Sequence, residues 1–234
     1  MKNKKIMLSV VSGLLVAAVA VGGTLAYMTS KTDLVTNTFT VGNGYITDDE
    51  GHQGLWLDET KIPDGENFPT EIGEDRVDNG QTYSELLPGT EFVKDPTFHL
   101  TIDAEGNKSV KSYVIAKVTD ADAAVLASYI FKTNNVDGFN TTWEKVANIG
   151  DEDAVLGGNY TFENNGKLDG YYLFANTIEG GQSTDPIFTH VLLNSNVTDL
   201  TASNNKIVNI QGVAVQEANV NKTTAITEAV KLLK

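Results

Sequence analysis

In most of the short apolar runs between Lys31 and Glu217, which turn signals separate, the apolar residues recur at every second position. A period of two is that of a strand with one buried face, so the chain is committed to sheet. Phe98, Leu100 and Ile102 follow this rule. After a turn at Ala104 to Lys108, Val110 to Thr119 places Tyr113, Ile115 and Lys117 on one face and Val114, Ala116 and Val118 on the other. The two runs read as a β-hairpin near the middle of a sheet. The rhythm returns at Thr142 to Val146, Tyr160 to Phe162, Tyr171 to Ala175 and Ile187 to Leu193, with Asn164-Asn165-Gly166 and Gly180-Gly181 as turn chemistry. In Lys206 to Glu217, Val213 and Val215 oppose Ile210 and Ala214, the pattern of a strand buried on both faces. About nine strands with no sustained βαβ alternation and no repeat predict an antiparallel β-sandwich. Two short helices complete the expectation. Asp120 to Lys132 is alanine-rich behind Asp120 and Asp122, and Ile226, Ala229, Val230 and Leu233 are helically spaced near the C-terminus.

The N-terminus has a different character. Lys2, Lys4 and Lys5 precede an almost wholly apolar run from Ile6 to Val21, which ends at Gly22-Gly23-Thr24-Leu25-Ala26-Tyr27. A positive segment, an apolar segment and small residues before a break form a secretory signal, so cleavage is expected between Ala26 and Tyr27. The run holds Ser9, Ser12 and Gly13, and a spanning helix needs ~20 apolar residues, which argues against an uncleaved anchor. Of 234 residues, the first 26 are read as the signal helix and residues 27–234 as one sandwich domain, in which 120–200 is a possible insertion. The chain has 17 basic and 31 acidic residues; removing Lys2, Lys4 and Lys5 leaves 14 basic, a net charge of −17 for residues 27–234. Such a surface repels phosphate backbones, so no nucleic-acid partner is expected. With no cysteine, an exported chain has neither disulfides nor Cys-ligated zinc and is held by core packing.

The sequence offers no catalytic constellation. His52, His99 and His190 have Trp56, Asp103 and Asn194 four residues on, so H-E-x-x-H is absent, as is the G-x-S-x-G elbow. His99 reads as a hydrogen-bonded strand histidine rather than a ligand. A Ser-His-Asp arrangement leaves no spacing signature in a sequence. The clusters Asp48-Asp49-Glu50, Asp58-Glu59 and Asp151-Glu152-Asp153 could coordinate calcium but lack EF-hand spacing, and are read as solvated faces. Trp56, Trp143, Tyr171 and Tyr172 are assigned to core packing over a carbohydrate platform. No cofactor and no metal ligand are therefore expected, and no enzymatic activity.

Three blocks resemble a family: Gly22 to Tyr27; Thr36-Asn37-Thr38-Phe39-Thr40-Val41-Gly42; and Leu87-Pro88-Gly89-Thr90-Glu91-Phe92-Val93-Lys94-Asp95-Pro96. Together they are similar to the TasA/camelysin family of exported Firmicute proteins, although Met28-Thr29-Ser30 departs from the aromatic, small residue and Asp that often follow the cleavage point there. The resemblance implies a jelly-roll sandwich, a SipW-type signal peptidase as partner, and localisation to the extracellular matrix or surface of a Gram-positive-type bacterium. It also implies head-to-tail fibres built by donor-strand exchange with further copies, with accessory matrix proteins as possible partners. Thr36 to Val41 is then the exchangeable strand, and Pro88, Gly89, Lys94, Asp95 and Pro96 form the turn motif. Two other readings stand beside it: a camelysin-like metal-dependent protease, and a monomeric surface adhesin.

Overall fold

A computed structural model describes residues 29–31, 44–119, 128–150, 154–159, 168–198 and 208–234, with backbone alone for 29–31 and 159. The strands are β1 (Thr29–Lys31), β2 (Leu55–Thr60), β3 (Arg76–Val77), β4 (Glu91–Val93), β5 (Thr97–Leu100), β6 (Ser112–Thr119), β7 (Tyr129–Thr133), β8 (Val136–Asp137), β9 (Trp143–Ala147), β10 (Val155–Asn159), β11 (Gly170–Ile178), β12 (His190–Leu193) and β13 (Asn209–Gln216). One helix, α1 (Lys222–Leu232), follows them. All strand pairings are antiparallel, in a six-stranded sheet ordered β1-β13-β6-β11-β9-β10, a four-stranded sheet β4-β12-β7-β8, and a three-stranded sheet β3-β2-β5.

The period-two pattern decides which side chains meet. From the six-stranded sheet, Val114, Ala116, Val118, Tyr172, Phe174 and Ala214 enter one core with Leu55, Phe92, Phe98, Leu100, Phe131 and Val191 of the two smaller sheets. The intervening residues Ile115, Leu173, Val213 and Val215 face the opposite way and form a second core with Ala225, Ile226, Ala229, Val230 and Leu233. The large sheet therefore lies between the small sheets and α1. The helix starts where the Asn221 side chain accepts the Thr224 N–H, and Lys231 sits in its last turn, where it complements the helix dipole.

The two sheet layers approach closely at Gly212. A Cβ on that residue would stand 2.2 Å from Cε1 of Phe98. Phe98 is fully buried and leans on Trp143, with ring centroids 5.9 Å apart.

Two expectations are corrected. The strands at Thr97–Leu100 and Ser112–Thr119 do not form a hairpin: β5 pairs with β2, and β6 pairs with β13 and β11, while the bridge Ile102↔Lys108 closes the turn between them. The helix read over Asp120 to Lys132 is a strand at its C-terminal end, since Tyr129 to Thr133 is β7. Tyr129, Ile130 and Phe131 favour sheet and pair with Leu193, Leu192 and Val191, which outweighs the helical signal of the alanines before them. The remainder of that helix, the strand at Tyr160 to Phe162 and the N-terminal signal lie outside the described residues.

Replacing Gly212 by Ala forces the Phe98 ring out of its seat. Overpacking of this kind costs ~1–3 kcal/mol, so Gly212→Ala is expected to lower the urea midpoint at an unchanged slope. A midpoint equal to that of the parent chain would contradict the close approach.

Candidate functional site

Among the described residues, a dense polar network is built around the three-stranded sheet. In β2, Leu55 turns to the core, so Trp56, Asp58 and Thr60 project from the other side; in β5, Phe98 and Leu100 turn inward, leaving Thr97 and His99 outward. Trp56 is the register partner of His99, and Asp58 that of Thr97. Residue 183 closes the row. Its bridge to His99 is flanked by Leu100 N–H to Gln182 O at 3.1 Å and Thr184 N–H to Phe98 O at 2.9 Å. His99 and Ser183 are thus a non-hydrogen-bonded pair, the arrangement that brings opposed side chains nearest.

Asp58, Glu59 and Asp95 are buried, at 4 %, 8 % and 2 % exposure. This overturns the reading of Asp58-Glu59 as a solvated pair. Water is replaced by Arg76, whose Nε lies 2.7 Å from Asp58 Oδ1 and whose Nη1 lies 2.7 Å from Asp95 Oδ2. Thr60 supplies Asp95 with its N–H at 2.7 Å and its hydroxyl at 3.1 Å. Lys94 pairs with Glu59, and Gln81 Nε2 donates to Glu59 Oε1 at 3.2 Å. Partial burial disfavours the Arg76 charge, but Asp95 and Asp58 outweigh it and raise its pKa. Burial and the nearby Glu59 carboxylate push the Tyr83 phenol far up, so it stays neutral.

Above this network Trp56 lies between two imidazoles. His52 stacks on it at 4.1 Å and 8°, and His99 at 4.4 Å and 22°. Trp56 is half-buried between them rather than part of the core, whereas Trp143, Tyr171 and Tyr172 are core residues. His52 Nδ1 is 2.9 Å from Asp48 Oδ2, and Nε2 is 3.2 Å from Asp78 Oδ2. A neutral imidazole can donate to only one of two carboxylates, so this setting favours the cation, which also suits the indole face. Partial burial opposes the charge; Asp48, then Asp78, outweigh it, and the His52 pKa is raised. His99 Nε2 is 2.9 Å from Asp58 Oδ1, and its Nδ1 is 2.6 Å from Ser183 Oγ.

The turn motif feeds this face. Pro88-Gly89 forms a turn closed by Thr90 N–H to Leu87 O at 2.8 Å, with Gly89 at φ 89°, a conformation open to glycine. β4 follows, and Lys94 and Asp95 then deliver the partners of Glu59 and Arg76 ahead of Pro96 and β5. Ala26, Tyr27 and the predicted donor strand Thr36, Asn37, Thr38, Phe39, Thr40 and Val41 lie outside the described residues, as does Asp151-Glu152-Asp153. Among the described residues no three His, Asp or Glu side chains are grouped to hold a metal ion. No family model, curated protein or solved structure matches the chain. The grouping of Asp58, His99, Ser183 and Arg76 was not foreseen from sequence, although the outward parity of Trp56, Asp58 and His99 was there to be read.

Two consequences are measurable. Arg76→Met strands two buried carboxylates, and breaking a buried pair costs several kcal/mol; because Arg76 retains some access to water, a loss on the order of 3 kcal/mol in a denaturant titration is expected. An unchanged midpoint would contradict the pairing. A raised His52 pKa gives stability that is complete below the unfolded value of ~6.5 and is lost as pH rises through the folded value. The parent chain should therefore gain stability over His52→Gln as pH falls from 8 to 6. A difference that does not change with pH would refute the cationic clasp.

Proposed function

We propose that the chain is an exported structural protein that assembles into extracellular or biofilm-matrix fibres by exchanging a strand near its mature N-terminus. One observation supports this reading: β1, a few residues beyond the expected cleavage point, pairs antiparallel with β13 at the edge of the large sheet, with Thr29, Ser30 and Lys31 opposite Val215, Ala214 and Val213. Among the described residues this ladder has three pairs. An edge strand near the expected start of the mature chain can leave, and its vacated row of N–H and C=O groups is a template for the same strand of another copy. Donor and acceptor surfaces differ, so the contact is head to tail and propagates. The exchanging segment then comprises Thr29–Lys31 together with the expected Thr36 to Val41. The jelly-roll winding, the signal helix and the peptidase partner implied by the family resemblance belong to the same proposal.

The chain contains no cysteine, so a single engineered disulfide is unambiguous. Ser30 and Ala214 are register partners. The double variant Ser30→Cys/Ala214→Cys, as the secreted form, is expected to remain unassembled when oxidised and to grow filaments in electron micrographs after reduction. Filaments of equal number in both states would sink the exchange. Casein cleavage abolished by a chelator would favour a metal-dependent protease instead.

A further inference from the structure

The row Ser183, His99, Asp58 has the order of groups that activates a serine hydroxyl. Asp58 is 4 % exposed, and Arg76 Nε, 2.7 Å from Oδ1, fixes it as a carboxylate. A carboxylate only accepts, so His99 Nε2, 2.9 Å away, carries the ring proton. Nδ1 is then the lone-pair nitrogen, and it lies 2.6 Å from Ser183 Oγ, placed to receive the hydroxyl proton. Trp56, stacked at 4.4 Å, holds the ring plane. Ser183 is exposed, so its oxygen is open to a reactant from solvent. Its own N–H points away from β5, because the bridge to His99 is a non-hydrogen-bonded pair; it is a donor available to a carbonyl oxygen.

We propose that Ser183 is a nucleophile for acyl transfer from small carboxylic esters, with His99 as general base and Asp58 as positioning residue. This activity is independent of fibre assembly. Ser183 Oγ bonds to the ester carbon while its proton passes to His99 Nδ1; the carbon–oxygen bond to the alcohol breaks and the alcohol leaves with that proton. Water then attacks the acyl-serine, again giving a proton to Nδ1, and the carboxylic acid departs as that proton returns to Ser183 Oγ. The sum is ester plus water to acid plus alcohol, with no further reactant. Ser183 lies exposed at the sheet edge, so the site is open to a small acyl group such as acetyl.

The test is covalent labelling of the intact chain with a fluorophosphonate, mapped by peptide mass spectrometry, beside hydrolysis of p-nitrophenyl acetate. General-base assistance is worth ~10²–10⁴-fold, so labelling at Ser183 should exceed that at the exposed Ser84 and Ser195 by at least ~100-fold and fall to their level in His99→Gln. Ser183→Ala should lose ester hydrolysis. If His99→Gln fails to fold, the parent chain's pH profile decides: a rate that rises as one imidazole loses its proton and then levels supports the base. The charged groups facing that imidazole are Asp58, Arg76 through Asp58, and His52 across Trp56. Labelling of Ser183 no faster than at the control serines, or rising tenfold per pH unit without a plateau, overturns the proposal.

Discussion

The seat of Phe98 against Gly212 is the contact on which the other placements depend. Phe98 reaches from the three-stranded sheet into the one position of β13 without a side chain, and there it meets Trp143. Seating it fixes the register of β5, because a slip of one residue would turn Phe98 and Leu100 to solvent and His99 to the core. Through the pairing of β5 with β2, the same constraint directs Leu55 inward and Trp56, Asp58 and Thr60 outward. A notch in an apolar layer thereby sets the positions of polar groups on the far side of the sheet.

Those polar groups would be costly if left alone. A buried carboxylate without a partner shifts or unfolds, and here three carboxylates are drawn from water. They are matched by Arg76 and Lys94, and by the hydroxyl and N–H of Thr60. Replacing both members of such pairs by well-packed apolar side chains can be neutral or better for stability, so the network is weak evidence for stability as such. Its clearest effect is geometric. Arg76 spans Asp58 and Asp95, tying β2 to the residue that precedes Pro96, and Asp58 in turn orients His99.

How much of this was legible in the sequence follows from what periodicity can carry. Spacing within one strand was readable: Val114, Ala116 and Val118 against Ile115, the two-sided burial at Val213 to Val215, and the helix bearing Ile226 and Val230. Pairing between distant strands was not: β5 and β6 are neighbours in sequence across a turn, yet β5 pairs with β2, and β6 with β13 and β11. Asp58, His99 and Ser183 are separated by 41 and 84 positions, and no local spacing links them. Burial of Asp58 and Glu59 was missed for the same reason, since adjacent acids read as a solvated cluster until Arg76 and Lys94 are known to fold onto them. The N-terminal residues named for cleavage and exchange rest on pattern and resemblance, and of that region the described residues are Thr29–Lys31.

The layering also restricts how copies of this chain can join. One face of the large sheet is covered by the smaller sheets, and the other bears α1 across Ile115, Val213 and Val215. Face-to-face stacking of that sheet would require peeling away a formed core. Addition along an edge requires no such loss. At the β10 edge the register shifts between Leu156 and Gly158, and a bulge of this kind interrupts the row of groups a new strand would need. The opposite edge is closed by β1, through three residue pairs among the described residues. Of the two edges of the sheet, the one closed by β1 is therefore the less protected against exchange, and it is held by the segment nearest the expected start of the mature chain.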